Sequence, residues 1–546
     1  MLDVRPFRFL RPLTALALLA AILAIAPPPA AAVEVGTEIP DVETAPNLRV
    51  SDGVLSLTLE EAISIALRRN LGLVVERYRL SEANLNLDAA AGIFDTNLTA
   101  DLSSSDDSSP SASQIDGADV QTTEVQVWNL GVSQLVDTGG TASVQFTNRR
   151  LETNSLFASL NPSYASGLDF SFRQPLLRDQ GRLATKRNIL VARNNQDISR
   201  ENFELQVAQA VQDVETGYWT LVQSQEQLEV SRESLELAKQ LHDQNKIRVE
   251  VGTLAPLELV QSEAGVATRE EEIIRAEGAV GDAEDRLRQL LNLDLPGAWD
   301  LTIDTESDPP VDPFQVDLDE AIAKALAHRP ELRQKRIDQQ NREVDANFFR
   351  NQELPRLDLT VNYGLNGIGG DVPGGVNPFT GEVIEPLPGG YSDALDQVTG
   401  GDFDGWSAAV NLVYPLRNRA ARAGSALADV ALERGEAELR DLELGVATEV
   451  RRLVRAVLTA EKARESAAVS RRLEEKNLEA EQKRYDNGMS TSFQVLEIQE
   501  DLSAARSREV SSITTYRLAL VNYYRAIGGL LEQSGVEIAT PVDGAE

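Results

Sequence analysis

The chain has 546 residues, of which 42% are hydrophobic and 5% aromatic, and its formal net charge is -34. So few large apolar residues argue against a single thick globular core. The acidic balance argues against nucleic acid as a partner, because a phosphate backbone is bound by clustered Lys and Arg. There is no cysteine, which excludes disulfides, thiolate catalysis, thiolate metal sites and a lipidated N-terminal cysteine.

The N-terminus has the layout of an export signal. Arginines at positions 5, 8 and 11 precede an apolar run over 13–26, and prolines and small residues follow it. We predict a cleavable signal peptide over 1–32 and an N-terminal segment over 33–57, with an uncleaved anchor as the alternative. No other stretch reaches the roughly 20 apolar residues of a membrane helix, so a membrane-spanning part must consist of strands.

The remaining chain is a tandem duplication. The ten residues that begin at Thr58 recur from Asp317 with six identities, and each copy has a good N-cap followed three residues later by glutamate. The sequence therefore predicts a first-repeat helix over 58–92 and a second-repeat helix over 317–355.

Alternating apolar and polar residues follow each of these helices. One face of the second copy carries leucine, valine and tyrosine at every second position over 357–365, and the pattern returns over 406–414. First-repeat counterparts include Phe94 with Leu98, Ala100 and Leu102, and later Leu168. Strands with an apolar outer face and aromatic rims are typical of a transmembrane β-barrel, and a soluble sandwich is the alternative. We predict strands over 93–175 and 356–416, with rim residues Phe94, Phe170, Phe172, Tyr363, Trp406 and Tyr414.

Polar stretches over 103–120 and 366–404 lack any apolar period and are interpreted as exposed loops. Four aspartates in the first of these stretches are interpreted as solvated loop residues rather than as cation ligands. They are Asp106, Asp107, Asp116 and Asp119. The first repeat also has an inserted hairpin over 123–148, and the sequence leaves open whether it joins the barrel or forms a flap. The apolar phase slips between Val127 and Trp128, which indicates a β-bulge.

Each repeat ends in a long helical hairpin. The first is predicted over 176–292 and the second over 417–530, with glycine-containing turns at the first tip, 251–256, and at the second tip, 487–492. Residues 183–250 contain no proline and only one glycine, so one helix on the order of 100 Å long is expected, with a coiled-coil seam. An equatorial linker over 293–316 and a C-terminal tail over 531–546 complete the domain assignment.

The duplicated order and the Thr58-Leu-Glu-Glu-Ala-Ile, Gln174-Pro-Leu and Arg-x-x-x-Gly motifs resemble the TolC-like outer membrane efflux protein family. This resemblance implies a mixed, mainly α fold in which three protomers share one outer-membrane β-barrel and one periplasmic helical barrel. It also implies a passive conduit that contacts a periplasmic adaptor and, through it, an inner-membrane pump.

Stoichiometry also has a physical argument. Four to six strands cannot enclose a water-filled pore, so several copies are needed. Three copies of four or six strands, or two of six, satisfy this condition, and only the resemblance selects the homotrimer.

The same resemblance implies roles for residues near the tips. Tyr485 is expected to hydrogen-bond Glu258 and hold a periplasmic gate shut, and Gln494 and Glu497 are expected to ring the entrance. Ser490 stands where the family has a latch arginine, so that link is missing. Gly252 and Thr253 at the first tip, with Gly488 and Met489 at the second tip, are expected to dock the adaptor.

No catalytic, cofactor or metal constellation is found in the sequence. The only histidines, His242 and His328, lie far apart in helical segments and are interpreted as solvated helix residues. The predicted function is therefore non-enzymatic transport, in efflux or in type I secretion, with the cargo undetermined. Two methionines disfavour a soft-metal path. A periplasmic coiled-coil scaffold or adhesin without a pore is the alternative.

Overall fold

The structure is a computed structural model that describes residues 50–51, 53–111, 119–155, 157–293, 298–306, 314–376, 381 and 383–538. The predicted signal peptide, most of the N-terminal segment, Asp116 and the end of the C-terminal tail lie outside these residues. The chain forms two compact units. The sheet unit comprises Asn84–Asn194 and Gln339–Arg434, and the helical unit comprises Gly36–Ala83, Asn195–Asp338 and Gly435–Glu546.

Ten helices occur in the described residues. In chain order they are α1 Leu59–Arg69, α2 Leu71–Ala91, α3 Arg182–Glu250, α4 Pro256–Leu291, α5 Leu318–His328, α6 Pro330–Gln352, α7 Tyr391–Gly400, α8 Arg419–Asp486, α9 Ser492–Ala526 and α10 Leu530–Gln533. The predicted long helices are confirmed, since α3 has 69 residues and α8 has 68.

Eleven strands accompany them in the same described residues. They are β1 Val50–Ser51, β2 Val54–Leu57, β3 Asn97–Pro110, β4 Val120–Leu135, β5 Thr141–Thr153, β6 Ser163–Pro175, β7 Thr302–Thr305, β8 Arg356–Gly370, β9 Gly375–Val376, β10 Val383–Ile384 and β11 Phe403–Val413. In the helical unit, β2 lies between antiparallel β1 and parallel β7.

The predicted repeat helices are each broken in two. The first breaks at Asn70, whose side chain accepts from the backbone N–H of Gly72 at 2.8 Å and so caps α2. The second breaks at Arg329, ahead of Pro330, which disfavours a helical conformation in the residue before it. The two breaks fall at equivalent positions of the duplication, 259 residues apart. The predicted capping box at Thr58 and Glu61 is present.

In the helical unit, both repeats bury the same seam. Val214, Tyr218 and Leu221 of α3 are buried, and so are their counterparts 236 residues later in α8, which are Val450, Val454 and Val457. Tyr218 also donates its hydroxyl to the carbonyl of Leu57 at 3.2 Å, which ties β2 to this seam. The spacing of three and four residues is that of a coiled-coil seam, as the sequence predicts.

The sheet unit contains one six-stranded antiparallel sheet in the order β11-β8-β6-β5-β4-β3. The predicted hairpin is present as β4 and β5, and it lies inside the sheet rather than beside it. The exposed loop predicted over 103–120 is wrong in its first half, because β3 continues to Pro110 and includes Asp106 and Asp107. Pairing with β4 sets this conformation although the segment has no apolar period of its own.

One face of this sheet is apolar across all six strands. Antiparallel partners lie on the same face, so the registers place Leu98, Val132, Val144, Phe170, Tyr363 and Trp406 in one row. Along β8 the apolar alternation runs from Leu357 to Leu365, nine residues, which falls within the about 9–11 residues of a membrane strand.

The predicted bulge at Trp128 is wrong, because β4 and β5 keep one register on both sides of it. Instead, the pairing of β4 with β5 is interrupted between Val127 and Leu130. Asn148 there donates its backbone N–H to Asn129 Oδ1 at 3.0 Å and its Nδ2 to the Trp128 carbonyl at 3.1 Å. The slip in the apolar pattern has another cause. Val125 and Val127 lie on the face of β4 opposite to the face that carries Trp128.

The second predicted loop, 366–404, is also partly ordered. It contains the end of β8, β9, β10, the start of β11 and helix α7, whose Ala394 and Val398 are buried. Gly367 permits this packing, since an added Cβ would lie 2.0 Å from the Ala394 carbonyl oxygen. Tyr391 of α7 donates its hydroxyl to Asn148 Oδ1 at 2.7 Å and packs edge-on against Trp128.

Candidate functional site

The candidate site is the pair of hairpin tips, both in the helical unit. At the first tip, Gly252 has φ of 78°, a left-handed conformation that favours glycine. Its N–H donates to the Val249 carbonyl at 3.0 Å, and that of Thr253 donates to Arg248 at 2.8 Å. This pair of bonds is a Schellman motif, which satisfies the last carbonyls of α3 and ends the helix.

The second tip repeats this backbone. Gly488 has φ of 75°, its N–H donates to Tyr485 at 3.0 Å, and the N–H of Met489 donates to Arg484 at 2.9 Å. Thr491 then caps α9 by accepting from the N–H of Gln494 at 3.4 Å. Both predicted tip turns are therefore present, and an added Cβ on either tip glycine would meet nothing within 4 Å. The glycines serve backbone conformation and not packing.

Arg248 connects the two hairpins. Its Nη2 lies 3.0 Å from Asp486 Oδ1, its Nη1 donates to the Tyr485 carbonyl at 3.3 Å, and its guanidinium lies 4.4 Å from the centre of the Tyr485 ring. The duplicated Arg484 instead pairs with Glu481 of its own helix at 2.9 Å. Of these two equivalent arginines, only Arg248 bridges the hairpins, through charge and ring stacking together.

Tyr485 lies at the centre of this contact with 2% of its surface exposed. Its hydroxyl donates to Oδ1 of the fully buried Asn245, whereas Glu258 accepts from the hydroxyl of Ser492. The Tyr485–Glu258 hydrogen bond implied by the resemblance is therefore not the one observed. Burial raises the pKa of Tyr485, Arg248 opposes that rise, and the charges of Glu258 and Asp486 add to it.

The two predicted ring residues lie on an exposed face of α9. Gln494 and Glu497 are one turn apart and solvent-exposed, and Glu497 makes no ion pair with any residue that the structure describes. Ser490, which replaces the latch arginine, lies 2.8 Å from Gln494 Oε1 and also contacts Glu481. Its contacts stay within the second hairpin.

Beneath the tips, a small apolar cluster joins the hairpins. Its buried members are Leu241, Leu478, Tyr485, Val495 and Leu502. His242 is half-buried and its Nδ1 lies 3.2 Å from Ser262 Oγ, while His328 is exposed with Nδ1 3.0 Å from the Lys324 carbonyl. In the described part of the chain, no group of acidic, histidine or cysteine residues is arranged to hold a metal ion.

An exposed apolar patch at the first tip escaped the sequence analysis. We call it the first-tip patch, and its members are 60–67% exposed: Ile247, Val251, Leu257 and Val260. At the second tip, Lys483 and Asn487 replace Ile247 and Val251, while Phe493 at 59% and Met489 at 63% are exposed. The sequence does contain a signal for this patch, which is a second apolar stripe beside the buried seam. A helix face that only contacts water does not need such a stripe.

In the sheet unit, four of the six predicted rim residues lie in strands on the apolar face. They are Phe170, Phe172, Tyr363 and Trp406. Trp406 is 77% exposed, and the rings of Phe170 and Tyr363 are 6.4 Å apart. Tyr414 follows the last residue of β11, and Phe94 lies in a 3₁₀ turn before β3, so neither belongs to the ladder. No helix in the described ranges combines the length and apolar character needed to cross a membrane.

A family model described as outer membrane efflux protein matches residues 62–293 and 321–529. The chain belongs to this family. Membership assigns the protein to the outer membrane with its helical part in the periplasm, as the channel component of a tripartite efflux system. The family consists of channels and not of enzymes, and it works with an adaptor and a pump.

Solved structures of outer-membrane channels have the same fold. The Campylobacter jejuni CmeC channel is 16% identical with a TM-score of 0.59, and the match covers 86% of each chain. The Neisseria gonorrhoeae MtrE channel is 15% identical with a TM-score of 0.58, covering 86% of this chain and 89% of that one. A Pseudomonas aeruginosa membrane protein is 17% identical with a TM-score of 0.61, covering 88% and 91%. No match was found among curated proteins.

Proposed function

We propose that three copies of this chain form a passive, non-enzymatic conduit that runs from a periplasmic adaptor and its inner-membrane pump to the cell exterior. The six-stranded sheet carries this proposal. Its apolar face has the width of a membrane and contacts outer-membrane lipid, and its polar face lines water. An open sheet of six strands cannot enclose a pore, so its edges are completed by other copies.

The two tips dock the adaptor in this proposal. Supporting evidence comes from the first-tip patch, because exposed apolar clusters of this kind mark protein–protein contacts. Gly252 and Gly488 keep each turn compact, and Thr253 and Met489 lie beside them at the outermost point of each hairpin. Phe493 extends the apolar surface at the second tip.

The hydrogen-bonded contact between the hairpins closes the periplasmic entrance. Tyr485 with Asn245, Arg248 with Asp486, and Ser492 with Glu258 form this contact. Glu497 and Gln494 face the entrance from α9, so each copy contributes one carboxylate to a ring. A ring of carboxylates concentrates negative potential and favours cations.

Pore formation tests the central claim. The mature protein, purified in detergent, is expected to migrate as a heat-sensitive trimer on a semi-native gel and to give discrete conductance steps in planar bilayers. The same chain heated to the monomer before reconstitution is the control. A polypeptide that stays soluble and monomeric without detergent and gives no conductance contradicts the proposal and favours a periplasmic scaffold.

A further inference from the structure

The β4–β5 hairpin lies inside the sheet, between β3 and β6. On one side β4 pairs with β3 along all of Asn97–Pro110, and on the other β5 pairs with β6 from Thr141 to Leu151. No described ladder joins β3 to β6. The hairpin therefore supplies two of the six positions in the sheet, and any cylinder made from this sheet includes it.

Two long strands are left with one unpaired side each. The edge strands are β3 and β11, each paired with a single neighbour, and every residue of both strands is exposed. Unpaired backbone groups are costly in lipid because no water is there to hydrogen-bond them, so membrane sheets close completely. Exposed edges of this length also promote aggregation in water.

The strand directions show what fits these edges. All five neighbouring pairs in the sheet are antiparallel, so β3 and β11 run in opposite directions. The β3 edge of one copy can thus accept the β11 edge of another copy as one more antiparallel pair. An even number of strands per copy keeps this alternation unbroken around a ring.

We infer that β3 of each copy pairs with β11 of the next copy, and that the inserted hairpin is a structural part of the barrel wall that widens it. This inference rests on the trimer proposed above. Three copies supply eighteen strands, six of them from the inserted hairpins. Barrel diameter grows roughly linearly with strand number, and barrels of about 16–18 strands leave an aqueous channel.

The polar face of the central strands is consistent with a wide aqueous lumen. Small or uncharged residues dominate it: Gly131, Ser143, Gln145, Gly167, Asn362, Gly364 and Ser407. Its charged members are Asp101 and Asp107 on β3, Arg149 on β5, Asp169 and Arg173 on β6, and Arg356 and Asp358 on β8. The inserted hairpin adds one charged side chain to this face, Arg149, which pairs with Val127.

Disulfide trapping tests the pairing directly, because the chain has no cysteine of its own. Asp101→Cys in β3 is combined in turn with Ser407→Cys, Ala409→Cys or Asn411→Cys in β11. At least one pair is expected to give covalent trimers on oxidation, resolved on a denaturing gel. Covalent rings that stop at the dimer, or no covalent oligomer with any pair, overturn the eighteen-strand arrangement.

Two matched pairs calibrate this test. Asp101→Cys with Asn129→Cys should form a bond within one chain, because these residues are direct partners in β3 and β4. Asp101→Cys with Asp169→Cys should not, since three strand spacings of about 4.8 Å exceed the roughly 7 Å limit between Cα atoms of a disulfide. A bond in the second pair would mean that the hairpin is a flap and that β3 adjoins β6.

Pore size gives an independent readout. Replacing residues 111–162 by an Asn-Gly turn joins β3 directly to β6 and leaves four strands per copy. Conductance is expected to fall to about half, because cross-section follows the square of a diameter reduced by a third, and smaller polyethylene glycols should be excluded. Unchanged conductance and exclusion size overturn the inference while the proposed function stands. A wild-type chain without conductance refutes the function itself.

Discussion

The two hairpin tips share one backbone and differ in their surfaces. Both end a long helix with the same Schellman motif, at glycines whose φ values are 78° and 75°. The first tip exposes apolar side chains on both of its helices. The second tip has polar Lys483 and Asn487 at two of those positions and buries Tyr485, whose counterpart in the first repeat is Val249.

This difference shows which features the duplication preserved. The turn is fixed by backbone conformation, which only a few residues can adopt, so both copies keep glycine. Side chains beside the turn were free to diverge. Asn245 and Glu481, 236 residues apart, are both buried and polar, yet the first accepts from the other hairpin and the second from its own. In the proposed function, the first tip therefore offers the larger apolar docking surface, and the second tip supplies Tyr485 to the contact between the hairpins.

Disrupting the glycine turns that the two tips share should have the largest effect on export. Gly252→Val with Gly488→Val forces two β-branched residues into a left-handed conformation, at about 1–2 kcal/mol each. Export of an efflux dye from cells should be abolished while trimers remain in the outer membrane. Gly281→Val, at a helical glycine with open space and no positive φ, is the control. Normal dye export by the double variant would argue against docking at the tips.

Adding charge to the first-tip patch should show that the two tips contribute unequally to adaptor docking. Val251→Glu with Leu257→Glu is expected to reduce adaptor co-purification and dye export at least tenfold, because a buried apolar contact becomes charged. The matched change at the second tip, Asn487→Glu with Phe493→Glu, should cost only a few-fold. Both pairs are exposed, so thermal stability should not change. Equal losses at the two tips would remove the distinction drawn here.

Removing one hydroxyl should loosen closure at the second tip. Tyr485→Phe leaves buried Asn245 without its donor, at a cost of about 1–3 kcal/mol to the hairpin contact, while ring stacking on Arg248 is retained. Open probability in planar bilayers should rise several-fold. Tyr78→Phe on α2, where the side chain is 43% exposed, should leave it unchanged. An unchanged open probability in the Tyr485→Phe variant would mean that other contacts hold the entrance closed.

The smallest effect is expected at the ring residues. Glu497→Gln should lower cation selectivity and weaken block by divalent cations by a few-fold, because three charges are lost from one ring. Gln494→Glu should shift both quantities the other way by adding a second ring one turn away. Reversal potentials in a salt gradient measure this. Identical selectivity in all three proteins would place Glu497 outside the conduction path.

The helical hairpins and tip turns could be predicted because their signals are local. A seam of three- and four-residue steps and a glycine at each tip specify them without distant information. The partner of Tyr485 could not be predicted, since Asn245 lies 240 residues away and is selected by packing.

The end of the β3 segment, in contrast, could not be predicted from local sequence. Its Ser- and Asp-rich end has no apolar period, because both faces are solvated there and pairing with β4 alone imposes the strand. The helix breaks at Asn70 and Arg329 were missed for a different reason. Apolar periodicity continues across them, and only the turn chemistry of Asn70 and Pro330 marks the boundary.

The change of apolar face at Trp128 has a consequence for how deeply the protein can sit. Below it the outer face is apolar, and above it the same face carries Arg150 and Glu124, 3.5 Å apart, with Glu152 beside them. Sinking further would drag these charges into hydrocarbon. In the proposed barrel these ion pairs limit the depth of insertion, and they keep the open end of the hairpin, opposite its turn at 136–140, outside the hydrocarbon.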